Sequence, residues 1–301
     1  MITLKKKYIS KNLNTNQLVL DIETTGLDSS LDYLVLLGLI YQIDGKTYII
    51  QHFAEDNSEE IRLLKIYKKL VENKEIITYN GDIFDIPFLN QRLIKYNIDP
   101  IFPDSLDIYK VISSKRKYFD FQSLRLMDIE KEVGIYRNDP SRYKVISKLT
   151  EDIKKRNNPK PIMVHNENDL MATEQLANAK DFFKNELSID TKSSKIYLEN
   201  VSINNDICQI NLESATNIGQ AYFLTDNYEL RANKNKIEIN IQVIYGKIDE
   251  ATRCHVAFNN FMINNQSNVP IDPNLLIIRE NYIYNYKNIL LLCKKIIENH
   301  L

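Results

Sequence analysis

An apolar run that stops at two carboxylates is the feature that most limits how this chain folds. Residues 18–26 read LVLDIETTG, and the run ends at Asp21 and Glu23. The pattern predicts a buried strand over residues 17–22. Because alternate residues of a strand share a face, both carboxylates point to the same side of the sheet. Like charges this close repel, so they indicate either a solvated strand end or a site for a divalent cation with oxygen ligands.

A second acidic stretch, YNGDIFDIPFL at residues 79–89, follows another predicted strand at 75–79. A helix is predicted from Asp85, because the proline two positions later is tolerated in a first turn. Asp85 either caps this helix or is a third metal carboxylate at the end of the strand. Asp82 is a rival for the metal role, but its place in the turn predicts that it is solvated.

A third stretch, HNENDL at residues 165–170, places a histidine and an aspartate on one helix face. His165 and Asp169 are four residues apart, which stacks them one above the other. A neutral imidazole has a reference pKa of about 6.5 and can take a proton from a water near neutral pH. The alternative is a surface His–Asp pair, which stabilises little.

The kinds of predicted elements change along the chain, which predicts two domains, residues 1–187 and residues 188–301. The first mixes strands with helices and predicts an α/β domain with helices against a mixed sheet. The second has short β-rich segments separated by Asn, Asp and Gly, which predicts a smaller antiparallel module with a closing helix. Within the first domain we predict further strands at 33–43 and 46–53, helices at 121–133 and 140–156, and a long helix ending near Leu187. A helix beginning at Ser58 is predicted to bury four residues at a spacing of three to four, Ile61, Leu64, Tyr67 and Val71.

The net charge near zero excludes a protein that binds polyanions through an overall positive charge. The chain has 39 Lys plus Arg and 40 Asp plus Glu, so any contact with nucleic acid must be local. Residues 113–121, SSKRKYFDF, and residues 154–161, KKRNNPKP, are basic candidates for such a contact. For each stretch the alternative is a solvated face, and the aromatic residues of the first favour a place in the core.

Cysteine spacing and hydropathy indicate the compartment. The 3 cysteines are far apart and form no CxxC pair, which favours a reducing environment. The sequence has no run of 18 uncharged apolar residues and no apolar segment after its basic start. We therefore expect a cytoplasmic location and no membrane partner.

The three acidic stretches together resemble the three motifs of the DEDD exonuclease superfamily, which has a ribonuclease H-like fold. DIETTG resembles the first motif, NGDIFDIPFL the second and HNENDL the third. More narrowly, the chain resembles the YprB-like predicted exonucleases. That resemblance extends to SLRLMDIEKEVGIYRND at 123–139 and LDIYK at 106–110, and it covers about residues 17–187.

The resemblance implies a metal-dependent 3′–5′ exonuclease that hydrolyses phosphodiester bonds of single-stranded RNA or DNA by a two-metal mechanism. It implies that two ions, Mg²⁺ or Mn²⁺, are bound by a set of four carboxylates with a histidine as general base: Asp21, Glu23, Asp85, Asp169 and His165. In the histidine-type branch the base usually precedes the last aspartate by five residues. Here the gap is four, as in the tyrosine-type branch, although the residue is a histidine.

Four residues near the acids are candidates for substrate binding. Thr24, Thr25 and Gly26 form either a turn that contacts a terminal nucleotide or a turn that satisfies only its own backbone. Asn80 has the same two interpretations. For the whole chain, the main alternative is an inactive nucleic-acid-binding protein with a β module for protein interaction. The complete set of acids favours the enzyme, since without metal these carboxylates would only repel one another.

Overall fold

The protein divides into two compact units. The structure is a computed structural model and describes residues 1–136 and 146–301. Unit 1 contains Met1–Ser113 and Phe121–Ala179, and unit 2 contains Ser114–Asp120 and Lys180–Leu301. The predicted domain boundary after residue 187 stays a prediction.

Unit 1 is built on a six-stranded mixed sheet. Its strands are β1 (Ile2–Lys7), β2 (Gln17–Thr24), β3 (Leu34–Ile43), β4 (Lys46–Phe53), β5 (Glu75–Thr78) and β6 (Ser105–Asp107). Their order across the sheet is β1–β4–β3–β2–β5–β6. Strand β2 lies near the centre, antiparallel to β3 and parallel to β5.

Helices bury both faces of this sheet. They are α1 (Glu60–Val71), α2 (Asp85–Lys95), α3 (Ile108–Ser113), α4 (Leu126–Val133), α5 (Ile146–Lys155) and α6 (Pro159–Gln175). On one face, apolar residues of α1 and α2 pack against β2 and β3. On the other face, α5 and α6 pack against β3 and β4. A strand covered on both sides needs no polar alternation, which explains the continuous apolar run of β3.

Unit 2 contains two antiparallel sheets and two helices. The larger sheet has the order β10–β11–β12–β9–β8–β7 and the smaller the order β13–β14–β15–β16. The strands are β7 (Ser188–Asp190), β8 (Lys195–Asn204), β9 (Ile207–Ser214), β10 (Gln220–Leu224), β11 (Tyr228–Asn233), β12 (Lys236–Gln242), β13 (Ile244–Lys247), β14 (Arg253–Phe258), β15 (Leu275–Glu280) and β16 (Ile283–Tyr284). Helix α7 (Ala179–Glu186) precedes them and α8 (Tyr286–His300) follows.

The core of unit 2 forms between the larger sheet, β15 and α8. Burial alternates along β9, where Cys208, Ile210 and Leu212 face inward, as expected for a sheet with one wet face. The predicted fold class, a mixed sheet flanked by helices followed by a β-rich module, is confirmed. None of the described helices combines the length and the apolar character needed to cross a membrane.

Two predicted helices differ in extent from those observed. The helix predicted at 121–133 begins only at Leu126, because the N–H of Arg125 bonds to the Ser123 hydroxyl and the carbonyl of Leu124 accepts from Tyr79. The long helix ending near Leu187 is two helices, α6 and α7. Between α6 and α7 the backbone forms hydrogen bonds to the third residue back, such as the one from the Ala177 N–H to the Glu174 carbonyl.

The remaining differences lie at element ends. The helix predicted from Ser58 begins as a 3₁₀ turn capped by Asp56, and α1 proper starts at Glu60. Leu64, Tyr67 and Val71 are buried as predicted, whereas Ile61 is half-buried and Leu63 is fully buried. The start of the helix predicted at 140–156, residues 140–145, lies outside the described residues, as do residues 137–139 of the stretch 123–139.

A buried carboxylate ties the segment between β1 and β2 to α6. Glu174 is fully buried, and it accepts hydrogen bonds at 2.6–3.0 Å from the hydroxyls of Tyr8 and Ser10 and the backbone N–H groups of Lys11 and Asn12. This segment leads directly into β2. Glu174 therefore fixes the position of α6 relative to the strand that contains the first acidic motif.

We expect Glu174→Ala to lower the free energy of unfolding by about 3 kcal/mol or more, because it leaves several donors without their charged acceptor. Urea denaturation followed by far-ultraviolet circular dichroism measures this loss. The control is Glu167→Ala on the same helix, which removes only a surface ion pair with Lys6 and should cost less than about 1 kcal/mol. Equal losses in the two variants would contradict this role of Glu174.

Candidate active site

Strand β2 delivers the first two predicted acids to the middle of the sheet. Asp21 pairs with Gly38 of β3, and Glu23 pairs with Leu36. Glu23 is 9% exposed and Asp21 is half-buried. A β-bulge follows between Glu23 and Thr24, where the chain leaves the sheet. The first motif therefore places its two carboxylates at the point where a buried strand ends.

The second motif places Asp85 against this strand. Asp85 is the first residue of α2 and is 6% exposed. Its Oδ1 accepts a hydrogen bond from the backbone N–H of Ile22 at 3.2 Å. Because Ile22 lies between Asp21 and Glu23 in the sequence, the Asp85 carboxylate lies beside the part of β2 that contains both acids. The chain thus brings a third carboxylate to the first two.

The third motif arrives on α6. His165 and Asp169 share one face, with Nε2 and Oδ2 3.4 Å apart. Glu23, His165 and Asp169 each offer a ligand atom, and these atoms lie within 4.8 Å of one another. Among the described residues this is the one group of its kind. It joins residues of the first and third motifs that are more than 140 positions apart in the chain.

Burial and mutual repulsion raise the pKa values of two of the acids, Asp21 and Asp85. Burial raises the pKa of Asp21 well above its usual range, and the charges of Asp169, Glu23 and Asp85 raise it further. A hydrogen bond from Asn166 acts in the opposite direction on the pKa of Asp21. Burial also raises the pKa of Asp85 to about 7, against the hydrogen bond from Ile22. A cation among these groups would relieve the repulsion.

The donor set suits hard divalent cations. Carboxylate oxygens are the preferred ligands of Mg²⁺ and Mn²⁺, and an imidazole is acceptable to the latter. Glu23, His165 and Asp169 already lie at mutual distances that one ion can span, and Asp21 and Asp85 are close enough to perturb one another. The residues present therefore fit a divalent metal site.

The turn after β2 is held by its own polar groups. The Thr24 hydroxyl donates to the Gly26 carbonyl at 2.6 Å, and the Thr25 hydroxyl donates to Oδ1 of Asp32 at 2.9 Å. A Cβ on Gly26 would lie 2.3 Å from the Asp32 carboxylate, so any larger residue would displace that side chain. These bonds match the structural interpretation of the turn, and a contact of these residues with substrate stays a prediction.

The turn after β5 is organised by Asp107, which the sequence analysis missed. Asn80 adopts a left-handed conformation, φ +67°, and its N–H donates to Oδ1 of Asp107 at 2.8 Å. Asp82, predicted to be solvated, is partly exposed. It accepts a hydrogen bond from Ser105 of β6 and forms an ion pair with Lys110 of α3 at 2.6 Å.

Three further residues at the site were also missed. Asn166 lies within the third motif and is fully buried beside Asp21. Gln51 of β4 donates to Asn166, and Gly38 of β3 leaves room for it. One signal was available, because Gly38 interrupts the apolar strand YLVLLGLIYQI and a glycine within a strand marks a close approach.

Basic side chains of both stretches form hydrogen bonds within the protein. In the first, Tyr118 is buried as predicted, and Lys117 donates to the Asn200 side chain and to the Val201 carbonyl. In the second, Arg156 donates to Oδ1 of Asn57 at 2.6 Å. A contact of either stretch with nucleic acid stays a prediction.

Comparison with known proteins decides the family. A family model described as the RNase H superfamily matches residues 18–180, more than half of the chain. The chain belongs to the RNase H superfamily. The match runs from the start of β2 to beyond α6, so it includes the four predicted metal ligands and the predicted general base. The predicted ribonuclease H-like fold is thereby confirmed, and the chain is a member of a nuclease superfamily.

Relatives of this RNase H superfamily chain include a polymerase. The PolC-type DNA polymerase III of Ureaplasma parvum is 29% identical over 154 residues, which cover 44% of this chain and 10% of the polymerase. The chain thus spans about a tenth of the length of that relative.

Two solved structures are similar to this chain at lower sequence identity. The family B DNA polymerase of the hyperthermophilic archaeon Pyrobaculum calidifontis has a TM-score of 0.44 and 18% identity, covering 57% of this chain and 25% of that one. Exonuclease I has a TM-score of 0.39 and 12% identity, covering 66% and 56%. Because both scores are below 0.5, the fold assignment rests on the family match and the sheet order.

Proposed function

We propose that the chain is a metal-dependent nuclease that removes nucleotides from the 3′ end of single-stranded RNA or DNA. The observation that supports this function best is the meeting of acidic residues from three separate motifs at one end of β2. Membership of a nuclease superfamily supports it further, and so does the likeness to a PolC-type polymerase. The narrower assignment to the DEDD, YprB-like exonucleases is part of the proposal and rests on the motif resemblance.

In this proposal four carboxylates bind two divalent ions, Mg²⁺ or Mn²⁺: Asp21, Glu23, Asp85 and Asp169. The chemistry that such ions supply when bound is positive charge beside the attacked phosphate, where negative charge develops on the attacking and leaving oxygens. The carboxylates position that charge on rigid elements, with Asp21 and Glu23 on β2, Asp85 at the start of α2 and Asp169 on α6.

His165 is the general base in this proposal. Its Nε2 lies 3.4 Å from Oδ2 of Asp169, a neighbour that favours an Nε2–H tautomer and fixes the ring on the helix face. In that tautomer Nδ1 is unprotonated and can accept the proton of an attacking water. The imidazole keeps 13% of its side chain exposed.

Four residues complete the proposed site on the substrate side, Thr24, Thr25, Gly26 and Asn80. Thr24 is the last residue of β2, Thr25 and Gly26 follow it, and Asn80 lies in the turn after β5. A cytoplasmic location is also part of the proposal, since Cys208, Cys254 and Cys293 are buried as free thiols.

Cleavage of 5′-labelled single-stranded RNA and DNA in Mn²⁺ or Mg²⁺ tests the function. We expect a ladder that shortens from the 3′ end, is abolished by EDTA and stops at a 3′-terminal phosphorothioate linkage. His165→Ala should slow cleavage by about 10²–10⁴-fold. The control is His52→Ala on β4, where the ring contacts Thr3, and it should cleave at the wild-type rate.

Other outcomes would replace this function. Internal cuts at the start of the reaction would indicate an endonuclease. Binding of both labelled strands without any metal-dependent cleavage would indicate an inactive nucleic-acid-binding protein.

A further inference from the structure

Asn166 of α6 reaches the centre of the sheet and contacts a predicted metal ligand. Its side chain is fully buried. Its Nδ2 donates to Oδ2 of Asp21 at 2.6 Å and to the backbone carbonyl of Asp21 at 3.3 Å. At 2.6 Å the first of these bonds is short for an N–H···O contact. Asn166 therefore fixes both the side chain and the backbone of the same residue.

A neighbouring amide dictates which end of Asn166 faces Asp21. Gln51 of β4 donates from Nε2 to the Met163 carbonyl at 2.7 Å and to Oδ1 of Asn166 at 2.8 Å. A carbonyl oxygen only accepts, so the NH₂ group of Gln51 must point at Met163. Asn166 then has to present its oxygen to Gln51 and its NH₂ group to Asp21. The donor to Asp21 is thus fixed by a bond made two strands away.

The register of the sheet makes room for this bridge. Asp21 of β2, Gly38 of β3 and Gln51 of β4 form one row across three strands. Asn166 spans the row above Gly38, where an added Cβ would lie 2.1 Å from Oδ1 of Asn166. Any larger residue at position 38 would push the amide away from the sheet.

We propose that Asn166, oriented by Gln51 and admitted by Gly38, is a positioning residue that sets the Asp21 carboxylate for divalent metal binding. This inference rests on the proposed function for the identity of the ligands. With Oδ2 fixed by Asn166, the carboxylate keeps one plane and directs its remaining lone pairs in one direction. A metal ligand that is fixed in this way loses little freedom on binding, and removing such a partner typically weakens metal binding about 10–100-fold.

Titration calorimetry with MnCl₂ alone, without nucleic acid, tests the role of Asn166. We expect Asn166→Ala to raise the Mn²⁺ dissociation constant about 10–100-fold, and to raise the Mn²⁺ concentration for half-maximal cleavage in parallel. The control is Asn168→Ala on the same helix, which removes a buried amide bonded to the Val164 carbonyl. It should lower the melting temperature and leave the Mn²⁺ dissociation constant unchanged.

Gly38→Ala supplies a test that leaves the amide itself in place. We expect it to weaken Mn²⁺ binding as Asn166→Ala does, because the new methyl group displaces Oδ1 of Asn166. In the Asn166→Ala background the same change should alter the dissociation constant less than about twofold, since the displaced group is gone. If Asn166→Ala does not fold, Asn166→Leu replaces it, because leucine nearly keeps the side-chain volume and has no donor.

The outcomes separate this inference from the proposed function. A wild type that binds Mn²⁺ and cleaves no strand overturns the function, while the dissociation constants of the variants still test Asn166. A folded Asn166→Ala protein that binds Mn²⁺ like the wild type overturns the positioning role and leaves the function standing. A wild type that does not bind Mn²⁺ overturns both.

Discussion

Asp21→Asn should reduce the cleavage rate by at least about 10³-fold, which corresponds to a loss of several kcal/mol of charge stabilisation at the proposed metal site. The charges of Asp169, Glu23 and Asp85 all raise the pKa of Asp21. An asparagine keeps the shape of the side chain and removes its charge. Single-turnover cleavage of labelled single strands in Mn²⁺ measures the effect.

The same variant should be at least as stable as the wild type when metal is absent. Removing one of several repelling carboxylates relieves repulsion, so the melting temperature in EDTA should stay equal or rise. Added Mn²⁺ should raise the melting temperature of the wild type more than that of Asp21→Asn. Asp82→Asn is the matched control, because Asp82 is paired with Lys110 and should be dispensable for cleavage. Wild-type activity in Asp21→Asn would refute the two-metal proposal.

Arg92→Met should lower the free energy of unfolding by about 3–5 kcal/mol, because it leaves a buried carboxylate without its partner. Arg92 and Glu60 are both fully buried, and two guanidinium nitrogens donate to the two oxygens of Glu60. Glu60 also accepts the backbone N–H of Leu34 and the hydroxyl of Tyr96. The pair therefore joins α1, α2 and the start of β3.

Urea denaturation of Arg92→Met and of Arg92→Met/Glu60→Gln measures this contribution. The double variant should lose less than the sum of the two single losses, since it no longer buries an unpaired charge. Asp99→Ala is the control, because its contact with Lys68 is on the surface at 3.9 Å and should contribute less than about 1 kcal/mol. A loss in Arg92→Met as small as that of the control would show that the pair contributes nothing.

Arg92 also links stability to the candidate site. Its Nη1 donates to the Ser29 carbonyl at 3.0 Å, in the loop that follows DIETTG. Loss of this bond should loosen the loop, so Arg92→Met should cleave more slowly even at temperatures where it remains folded.

The local pattern of the sequence was enough to predict most elements near the site. The apolar run before Asp21 predicted β2, and the proline after Asp85 agreed with a helix start. The predicted helix around His165 and Asp169 is the observed α6. These predictions succeed because strand and helix periodicities depend on backbone geometry within a few residues. The break between α6 and α7 was missed, because it consists of backbone bonds that apolar spacing does not reveal.

The sequence by itself determined the chemistry available to this protein, namely five acid and imidazole side chains in three motifs. Only the tertiary structure decided their distances and their supports. It brings Glu23, His165 and Asp169 within 4.8 Å, and it places Asn166 between Gln51 and Asp21. Such contacts depend on strand register and on how α6 packs over Gly38, and neither quantity is encoded in a short stretch of residues.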